Sequence, residues 1–269
     1  VTILKPDGTT LASATVGTSG GFIDTNVLVT SGTYAVIVNP VGAATGNMTL
    51  TLYDVPTDLI GTITPGGAPV TVSIGAIGQN AKLTFDGSIG QRISLRVSSV
   101  TITSVAVSIL SPTGIPISGG TLTVGTSGGF IDLKTLQATG TFAISVNPAS
   151  TNTGSLTLTL YAMPVDATST TAVNGTGQTI SVTTPGQNAG VTFDGTIGDS
   201  VTVRITANAI GSVAVRLLRP DNTTMTSVTS SAASFNLTPQ TIGITGPYRI
   251  LIDPASTNTG TITISVTSP

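Results

Sequence analysis

The chain has 269 residues and a formal net charge of -2, and only 7% of its residues are charged, against about a quarter in an ordinary soluble protein. It contains no Cys, His or Trp, and all 11 of its acidic residues are Asp. These absences exclude disulfides, zinc and haem sites of the usual kinds and histidine-dependent nucleophilic catalysis, and the acidic balance argues against nucleic-acid binding.

The composition favours β-structure. Apolar residues make up 39% of the chain, and Thr and Ser add 52 and 27 residues. Because Thr, Val and Ile abound while helix-forming residues are scarce, we expect strands rather than helices. The longest apolar stretches are far shorter than the roughly 20 residues of a membrane-spanning helix, so no membrane span is predicted.

The sequence repeats itself with a period of about one domain. Residues 16–24 (VGTSGGFID) recur unchanged at 124–132, and residues 78–90 (GQNAKLTFDGSIG) recur at 186–198 as GQNAGVTFDGTIG. A third motif appears three times, as GTYAVIVNP, GTFAISVNP and GPYRILIDP. Internal repeats of this length indicate tandem copies of one domain.

The repeats divide the chain into three predicted domains. Residues 1–56 form a partial unit that holds only the later strands, and we call it the N-terminal unit. Residues 57–164 form a complete middle unit, and residues 165–269 form a complete but more divergent C-terminal unit.

Apolar and polar residues alternate within each unit, which is typical of strands with one face on a core. In the middle unit, Ile93, Leu95 and Val97 alternate with Ser94 and Arg96, and similar alternation recurs near 105–109, 142–146 and 156–160. Turn residues separate these segments, and Asp86-Gly87 and Asp194-Gly195 are predicted to form tight turns. About eight short strands per unit and no helix predict an all-β fold of tandem antiparallel β-sandwiches, jelly-roll-like in topology.

Two segments rich in Pro, Gly and Thr connect the units, at 56–69 and 164–178. They are too short for freely tumbling domains, so we expect an extended, semi-rigid string of units.

The motifs GQNAxxTFDG, xPDGT, GGFID and GTYxVxVxP resemble the tandem β-sandwich repeats of large bacterial surface and secreted proteins, of the kind found beside RHS or YD repeats. They are also similar in outline to pre-peptidase C-terminal domains. The resemblance covers nearly the whole chain and implies non-catalytic, extracellular domains that act as spacers, stalks or fibre elements. The C-terminal unit departs most, because SSAASFNLTP at 230–239 replaces GTSGGFIDL.

The main candidate site residues are Asp24 and Asp132 of the repeated GGFID motif. A calcium site needs several clustered oxygen ligands, and the sequence has no cluster of the DxDxD kind, so side-chain caps on turns are the favoured interpretation. Asp199, which replaces Gln91, is expected to pair with a nearby Arg. We therefore predict no catalytic, cofactor-binding or metal-binding residues, no cofactor and no enzymatic activity.

Tyr34, Phe142 and Tyr248 share one repeat position and are predicted to lie in cores, whereas Tyr53 and Tyr161 end a strand on its outer face, near a domain junction. Without Trp and with few exposed aromatic rings, glycan binding is the minor interpretation. Single Arg residues on outer faces are expected to solubilise or to form interfaces: Arg96, Arg204 and Arg216. Four sequons permit glycosylation, at Asn47, Asn174, Asn222 and Asn236.

The absence of charge on the outer faces favours self-association. Soluble β-proteins protect sheet edges with charged residues, and uncharged Thr and Ser faces cost less to desolvate. The N-terminal unit also leaves an apolar inner face uncovered, and a lone half-sandwich should not be stable. Either the upstream chain or strands of a neighbouring subunit, as in donor-strand complementation, must complete it.

These patterns favour a structural subunit of an extracellular filament, stalk or surface fibre, a homo-oligomer or polymer of itself, at the cell surface. The alternative is a non-catalytic adhesion module, or a spacer that binds glycan or protein, in a large secreted bacterial protein.

Overall fold

The computed structural model describes residues 1–268, and these residues form β-strands, turns and loops without a helix. The predicted all-β class and β-sandwich architecture are confirmed. In the described part of the chain, no helix is long and apolar enough to cross a membrane.

The N-terminal unit contains one small sheet. Its strands, in the spatial order β2-β1-β3, are β1 (Thr2–Leu4), β2 (Thr10–Ser13) and β3 (Ala35–Ile37).

The middle unit is a two-layer sandwich of nine strands. In chain order these are β4 (Leu59–Thr62), β5 (Val70–Ile74), β6 (Ala81–Gly87), β7 (Arg92–Ser98), β8 (Val105–Leu110), β9 (Pro116–Val124), β10 (Gly129–Thr135), β11 (Gly140–Pro148) and β12 (Gly154–Ala162). The front sheet has the order β10-β7-β12-β5, and the back sheet has the order β4-β6-β11-β8-β9.

Strands β5 to β12 have jelly-roll connectivity, because nearly every connection crosses from one sheet to the other. Strand β4 is an addition to this pattern: it pairs parallel with β6 at the edge of the back sheet. The predicted antiparallel sandwich is therefore present, and β4 adds one parallel pairing at its edge.

The alternating apolar residues of both sheets meet in one core. Leu95, Ile144, Leu156 and Leu158 are completely buried there. The rings of Phe85 and Phe142 stack in this core with centroids 5.5 Å apart.

The C-terminal unit repeats the arrangement around a core of its own, where Phe193 and Tyr248 stack at 5.7 Å. Its sheets have the orders β14-β22-β16-β19 and β13-β15-β21-β17-β18, with β20 paired to β16 and β13 parallel to β15. The strands are β13 (Ala167–Thr170), β14 (Gln178–Val182), β15 (Ala189–Gly195), β16 (Ser200–Asn208), β17 (Val213–Leu218), β18 (Thr224–Ser230), β19 (Phe235–Asn236), β20 (Gln240–Thr241), β21 (Gly246–Pro254) and β22 (Gly260–Thr267).

The divergent segment of the C-terminal unit explains why one strand is broken. The position of β10 is taken by the two-residue strands β19 and β20, with Pro239 between them. Proline has no backbone N–H to donate to a sheet, so pairing stops there.

Two local predictions are corrected. Asp86-Gly87 and Asp194-Gly195 are the last residues of β6 and β15, and the tight turns lie just after them, at residues 89–90 and 197–198. A Cβ atom on Gly87 would lie 2.5 Å from Leu136 Cδ1, so glycine is needed there for close packing. The predicted linkers are also shorter than expected, because β4 and β13 begin within them.

Candidate functional site: the joints between units and the uncovered N-terminal sheet

A turn at the start of the GQNA motif connects the C-terminal unit to the middle unit. Ser94 Oγ, on the outer face of the front sheet, donates a hydrogen bond of 2.7 Å to the Pro185 carbonyl. Gly186 has φ +86°, which favours glycine, and a Cβ there would lie 3.0 Å from Asp132 Oδ1 and 3.2 Å from the Phe130 ring. Backbone conformation and the neighbouring unit therefore both require glycine.

The equivalent turn of the middle unit contacts the N-terminal unit through a different hydrogen bond. Thr25 Oγ1 donates a hydrogen bond to the Gly78 carbonyl. Gly78 has φ +81°, and a Cβ there would lie 2.7 Å from Thr25 Oγ1 and 3.8 Å from the Phe22 ring. Phe22 and Phe130 occupy the same position of the GGFID repeat, so the two joints share the contact between this ring and the turn glycine, although their hydrogen bonds differ.

The glutamine of each GQNA motif holds the connecting segment against the turn. Gln79 and Gln187 are buried, and their Nε2 atoms donate bonds of 2.9 Å to the carbonyls of Thr57 and Val165. Gln187 Oε1 also accepts a bond of 2.9 Å from the Thr183 amide. Because these buried amides are bonded, the connection between units is fixed rather than loose.

We call the joint between the N-terminal and middle units the first joint, and the joint between the middle and C-terminal units the second joint. At the second joint, one carboxylate contacts both units. Asp166, in the connecting segment, accepts a hydrogen bond from Arg92 of the middle unit and lies 3.5 Å from Arg249 Nη2 of the C-terminal unit. All three side chains are partly shielded from solvent, so the network adds to the fixed geometry of this joint.

A pair of carboxylates also meets across this joint. Burial, and next the charge of Asp132, raise the pKa of Asp253 above its ordinary value, while Arg216 at 3.5 Å opposes the shift. At the first joint the position of Asp253 is held by the neutral Asn147, which shares with Phe22 and Asp24 a groove of about 530 Å³.

Asp24 and Asp132 each accept a hydrogen bond from the backbone amide of the next residue, but Asp132 lies within β10 and not on a turn as predicted. Their Oδ1 atoms accept bonds of 2.8 and 2.7 Å from the amides of Thr25 and Leu133. Between residues 1 and 268, no three Asp side chains come close enough together to hold a metal ion.

The inner face of the N-terminal unit is uncovered. Leu28, Leu50 and Leu52 are 61%, 53% and 87% exposed, whereas their counterparts in the middle unit are at most 1% exposed. The counterparts are Leu136, Leu158 and Leu160. Val36, Val38 and Met48 are exposed in the same way, so this face is a core without its opposite layer.

The missing partners explain the missing strands. In the middle unit β10 pairs with β7, and β12 pairs with β5 and β7. The N-terminal unit has no copies of β4 to β7 among its residues, and its segments corresponding to β10 and β12 are not strands.

In the middle unit, the turn at Pro185 and Gly186 docks on the outer face of the front sheet. The C-terminal unit has a corresponding surface on which none of residues 1–268 docks, and we call this surface the seat. It is a shallow cavity of about 480 Å³ lined by Asn174, Thr202, Arg204, Asn236, Thr267 and Ser268. Thr202 corresponds to Ser94. Asn236 corresponds to Phe130, because each pairs with the matching Arg of the neighbouring strand, Arg204 or Arg96.

The structure locates the remaining predicted residues. Phe142 and Tyr248 are buried as predicted, but Tyr34 is only half-buried because its unit lacks the covering layer. Tyr161 lies opposite Ser94 in register, beside the second joint as predicted. Asp199 takes part in none of the ion pairs found in residues 1–268, and the four sequon Asn residues are exposed.

Sequence reasoning missed Ser94, Gln187 and Gly186 as joint residues. The available signal was the unchanged repetition of Gly-Gln-Asn after each connecting segment.

No protein-family model matches the sequence, and no curated protein matches it either. The pre-peptidase C-terminal domain of collagenase from Bacillus anthracis is similar over 38% of this chain and 97% of its own, at 11% identity and a TM-score of 0.32. PliG of Aeromonas hydrophila, a periplasmic inhibitor of g-type lysozyme, matches over 38% of this chain and 98% of its own, at 16% identity and a TM-score of 0.27. A turret protein of Sulfolobus turreted icosahedral virus matches over 74% of this chain and 95% of its own, at 10% identity and a TM-score of 0.21. These likenesses are coarse and extend to β-sandwich architecture alone.

Proposed function

We propose that this chain is a structural, non-catalytic subunit of an extracellular filament, stalk or surface fibre. The observation that carries the proposal is the repeated joint: Gly78 and Gly186 both meet the GGFID motif of the preceding unit, and Gln79 and Gln187 fix the connection. Units that are joined by a fixed contact transmit force and keep their direction, as a fibre requires.

The uncovered N-terminal face supports assembly with other subunits. Monomeric soluble proteins rarely expose a large contiguous apolar patch, and such patches mark interaction sites. Burial of a side chain such as Leu50 or Leu52 contributes roughly 1.5–3 kcal/mol. An assembly that covers this face therefore has a substantial driving force.

The Thr-rich outer faces suit close lateral packing. The hydroxyls of Thr71 and Thr157 lie 3.1 Å apart, and those of Thr179 and Thr263 lie 2.8 Å apart, at equivalent positions of the two front sheets. Hydroxyls that already bond to each other lose less hydration when a neighbouring face covers them.

Electron microscopy of the purified protein over a range of concentrations tests the proposal. We expect elongated assemblies, and the double substitution Leu50→Asp with Leu52→Asp should shorten or abolish them. The matched control places Asp at two exposed Ile residues outside the uncovered face, Ile89 and Ile197. Particles that stay monomeric at every concentration would contradict the proposed function.

One observation favours a second candidate, a spacer that binds glycan. The groove at the first joint combines the Phe22 ring with Asp24 and Asn147, which are group types that bind sugars. Binding of oligosaccharides that Phe22→Ala abolishes, by a protein that forms no assemblies, would favour this candidate over the filament.

A further inference from the structure

We propose that β4 and β13, the strands that begin each complete unit, are mechanical clamps that hold the unit closed when the chain is pulled along its length. The inference rests on the proposed function, since a stalk or fibre carries tension, and it names the contact that resists this tension. Both strands are additions to the jelly-roll pattern, and each pairs parallel with the strand after next, β6 or β15.

The chain enters the middle unit at one end of the sandwich and leaves it at the other. Strand β4 begins with Leu59, which pairs with Ala81, the first residue of β6. Strand β12 ends with Ala162, which pairs with Ile93 near the start of β7. Because only the short turn at 88–91 separates β6 from β7, the start of β7 lies at the end of the sandwich where β6 finishes. Tension in the chain therefore runs along the strands.

A pull along the strands loads the contacts of β4 all at once. The Leu59 amide donates a hydrogen bond of 2.9 Å to the Asn80 carbonyl, and the Ile63 amide donates one of 3.0 Å to the Thr84 carbonyl. Four residue pairs of β4 and β6 lie along this ladder. The bonds run between the strands, across the direction of the pull, so β4 slides along β6 only when several of them break together. Bonds that share a load resist a larger force than bonds that break in turn.

Without β4, the same sandwich would open one residue pair at a time. Strand β5 begins with Val70 opposite Leu158 and runs back to Ile74 opposite Gly154, the first residue of β12. The chain would then enter and leave at the same end of the sandwich, on two antiparallel neighbours. Because β5 is an edge strand, tension would pull it sideways from β12, and their five residue pairs would separate in sequence. The parallel strand thus replaces an unzipping load with a sliding load.

The C-terminal unit has the same arrangement. Strand β13 pairs parallel with β15 through four residue pairs, and the Thr171 amide donates a bond of 2.9 Å to the Thr192 carbonyl. Strand β14 is an edge strand and an antiparallel neighbour of β22. The buried side chains of Gln79 and Gln187 add one bond to each ladder, at the carbonyl two residues before the strand begins. Both complete units therefore resist a pull in the same way.

Pulling the middle unit from two different points tests the clamp. The chain has no Cys, so pairs of introduced Cys can attach the full-length protein to an optical trap at chosen positions. Thr57→Cys with Val165→Cys loads the unit through β4, and Ala68→Cys with Val165→Cys loads the same fold through β5. All three side chains are exposed, so the substitutions leave the core intact.

We expect the attachment at position 68 to unfold the unit at no more than half the force needed from position 57, at the same pulling speed. A release of roughly 300–400 Å of chain identifies the unfolding of the middle unit. Equal forces from the two attachments would overturn the clamp.

A proline in β4 tests the hydrogen-bond ladder itself. Leu59→Pro removes the amide that donates to the Asn80 carbonyl. Ile60→Pro is the matched control, because alternate amides of an edge strand point away from the sheet and Ile60 is exposed. Forced unfolding depends on the rate of unfolding under load and not on the equilibrium stability. Loaded from position 57, the Leu59→Pro unit should therefore unfold at a clearly lower force than the Ile60→Pro unit, while denaturant unfolding of the two variants stays similar.

An equal loss of force in both proline variants would overturn the role of the ladder. If Leu59→Pro does not fold, the two attachment points still decide, because they leave β4 unaltered. The measurements use single molecules and so separate the clamp from the proposed function. A force that depends on the attachment point, in a protein that forms no assemblies, would uphold the clamp and contradict the filament. Assemblies of a protein whose units unfold at one force from both points would do the reverse.

Discussion

Ser94 illustrates how single residues define the joints. It belongs to the polar row of β7 and yet is completely buried, because the C-terminal unit covers it and accepts its hydrogen bond. Gln187 and Gly186 complete the contact from the other side. Small and neutral polar side chains thus allow two sandwiches to approach without desolvating a charge.

Replacement of the joint glycine should loosen the contact. We expect Gly186→Ala to destabilise the protein by about 1–3 kcal/mol more than Gly198→Ala. Both positions have positive φ, which costs an L-residue about 1–2 kcal/mol, but only the Cβ at Gly186 meets another unit. Denaturant unfolding measures the difference, and X-ray scattering checks the orientation of the units. Equal losses in the two variants would show that the joint tolerates the extra methyl.

The carboxylate pair makes the second joint sensitive to pH. The ordinary pKa of an Asp side chain is 3.8, and the pKa of Asp253 is raised above it in the folded protein. The folded protein therefore binds a proton at Asp253 more tightly than the unfolded chain does. The contribution of Asp253 to stability is therefore fully present below about pH 3.8 and is lost as the pH rises through its folded-state pKa.

Asp253→Asn should remove this dependence. We expect the variant to have a higher Tm than the wild type at pH 7, with a difference that vanishes as the pH falls to about 3.8. Asp221→Asn is the control with the opposite sign, because the hydrogen bonds from Thr223 lower the pKa of Asp221. A difference between wild type and Asp253→Asn that does not change with pH would contradict the assignment.

At the scale of strands and sheets, one sequence motif exists in two states. The segment ending in TLTLY is strand β12 in the middle unit and is not a strand in the N-terminal unit, although the apolar residues are nearly the same. Strand formation here depends on β5 and β7 as partners, not on local propensity.

A matched pair of substitutions measures this dependence. Leu158→Ala should cost about 2–5 kcal/mol, because Leu158 is completely buried. Leu50→Ala, at the equivalent exposed position, should cost less than about 0.5 kcal/mol in the unassembled protein. Thermal unfolding at low concentration provides both values. A similar loss in the two variants would mean that Leu50 is already covered.

Features that depend on neighbouring residues were predictable from the sequence, whereas features that depend on distant residues were not. Alternation in 93–97 or 156–160 was enough to predict strands and the buried side of each, because that information is local. The need for glycine at position 87 was not predictable, because it comes from close packing against Leu136, which is distant in the sequence. Alternation also predicts only that Ser94 faces outwards, and it does not distinguish water from a neighbouring unit.

The joint itself was the least predictable feature. Gly-Gln-Asn in a loop is an ordinary turn sequence, and its meaning depends on a surface formed by β7 and β10 of another unit. The unchanged repetition of the motif was the one available signal, and it indicated repeated units without indicating a role in their connection.

At the scale of the whole molecule, the shortage of charge determines how an assembly responds to salt. With 7% charged residues and a net charge of -2, contacts between subunits depend on apolar burial and on hydroxyl and main-chain hydrogen bonds. The Debye length falls from about 30 Å at 0.01 M salt to about 3 Å at 1 M, which weakens charge–charge attraction but not apolar burial. We therefore expect the extent of assembly, measured by sedimentation, to stay constant or increase between 0.01 and 1 M NaCl. Assemblies that dissolve as salt rises would contradict this, because the dominant contacts would then be ion pairs from the few charged residues.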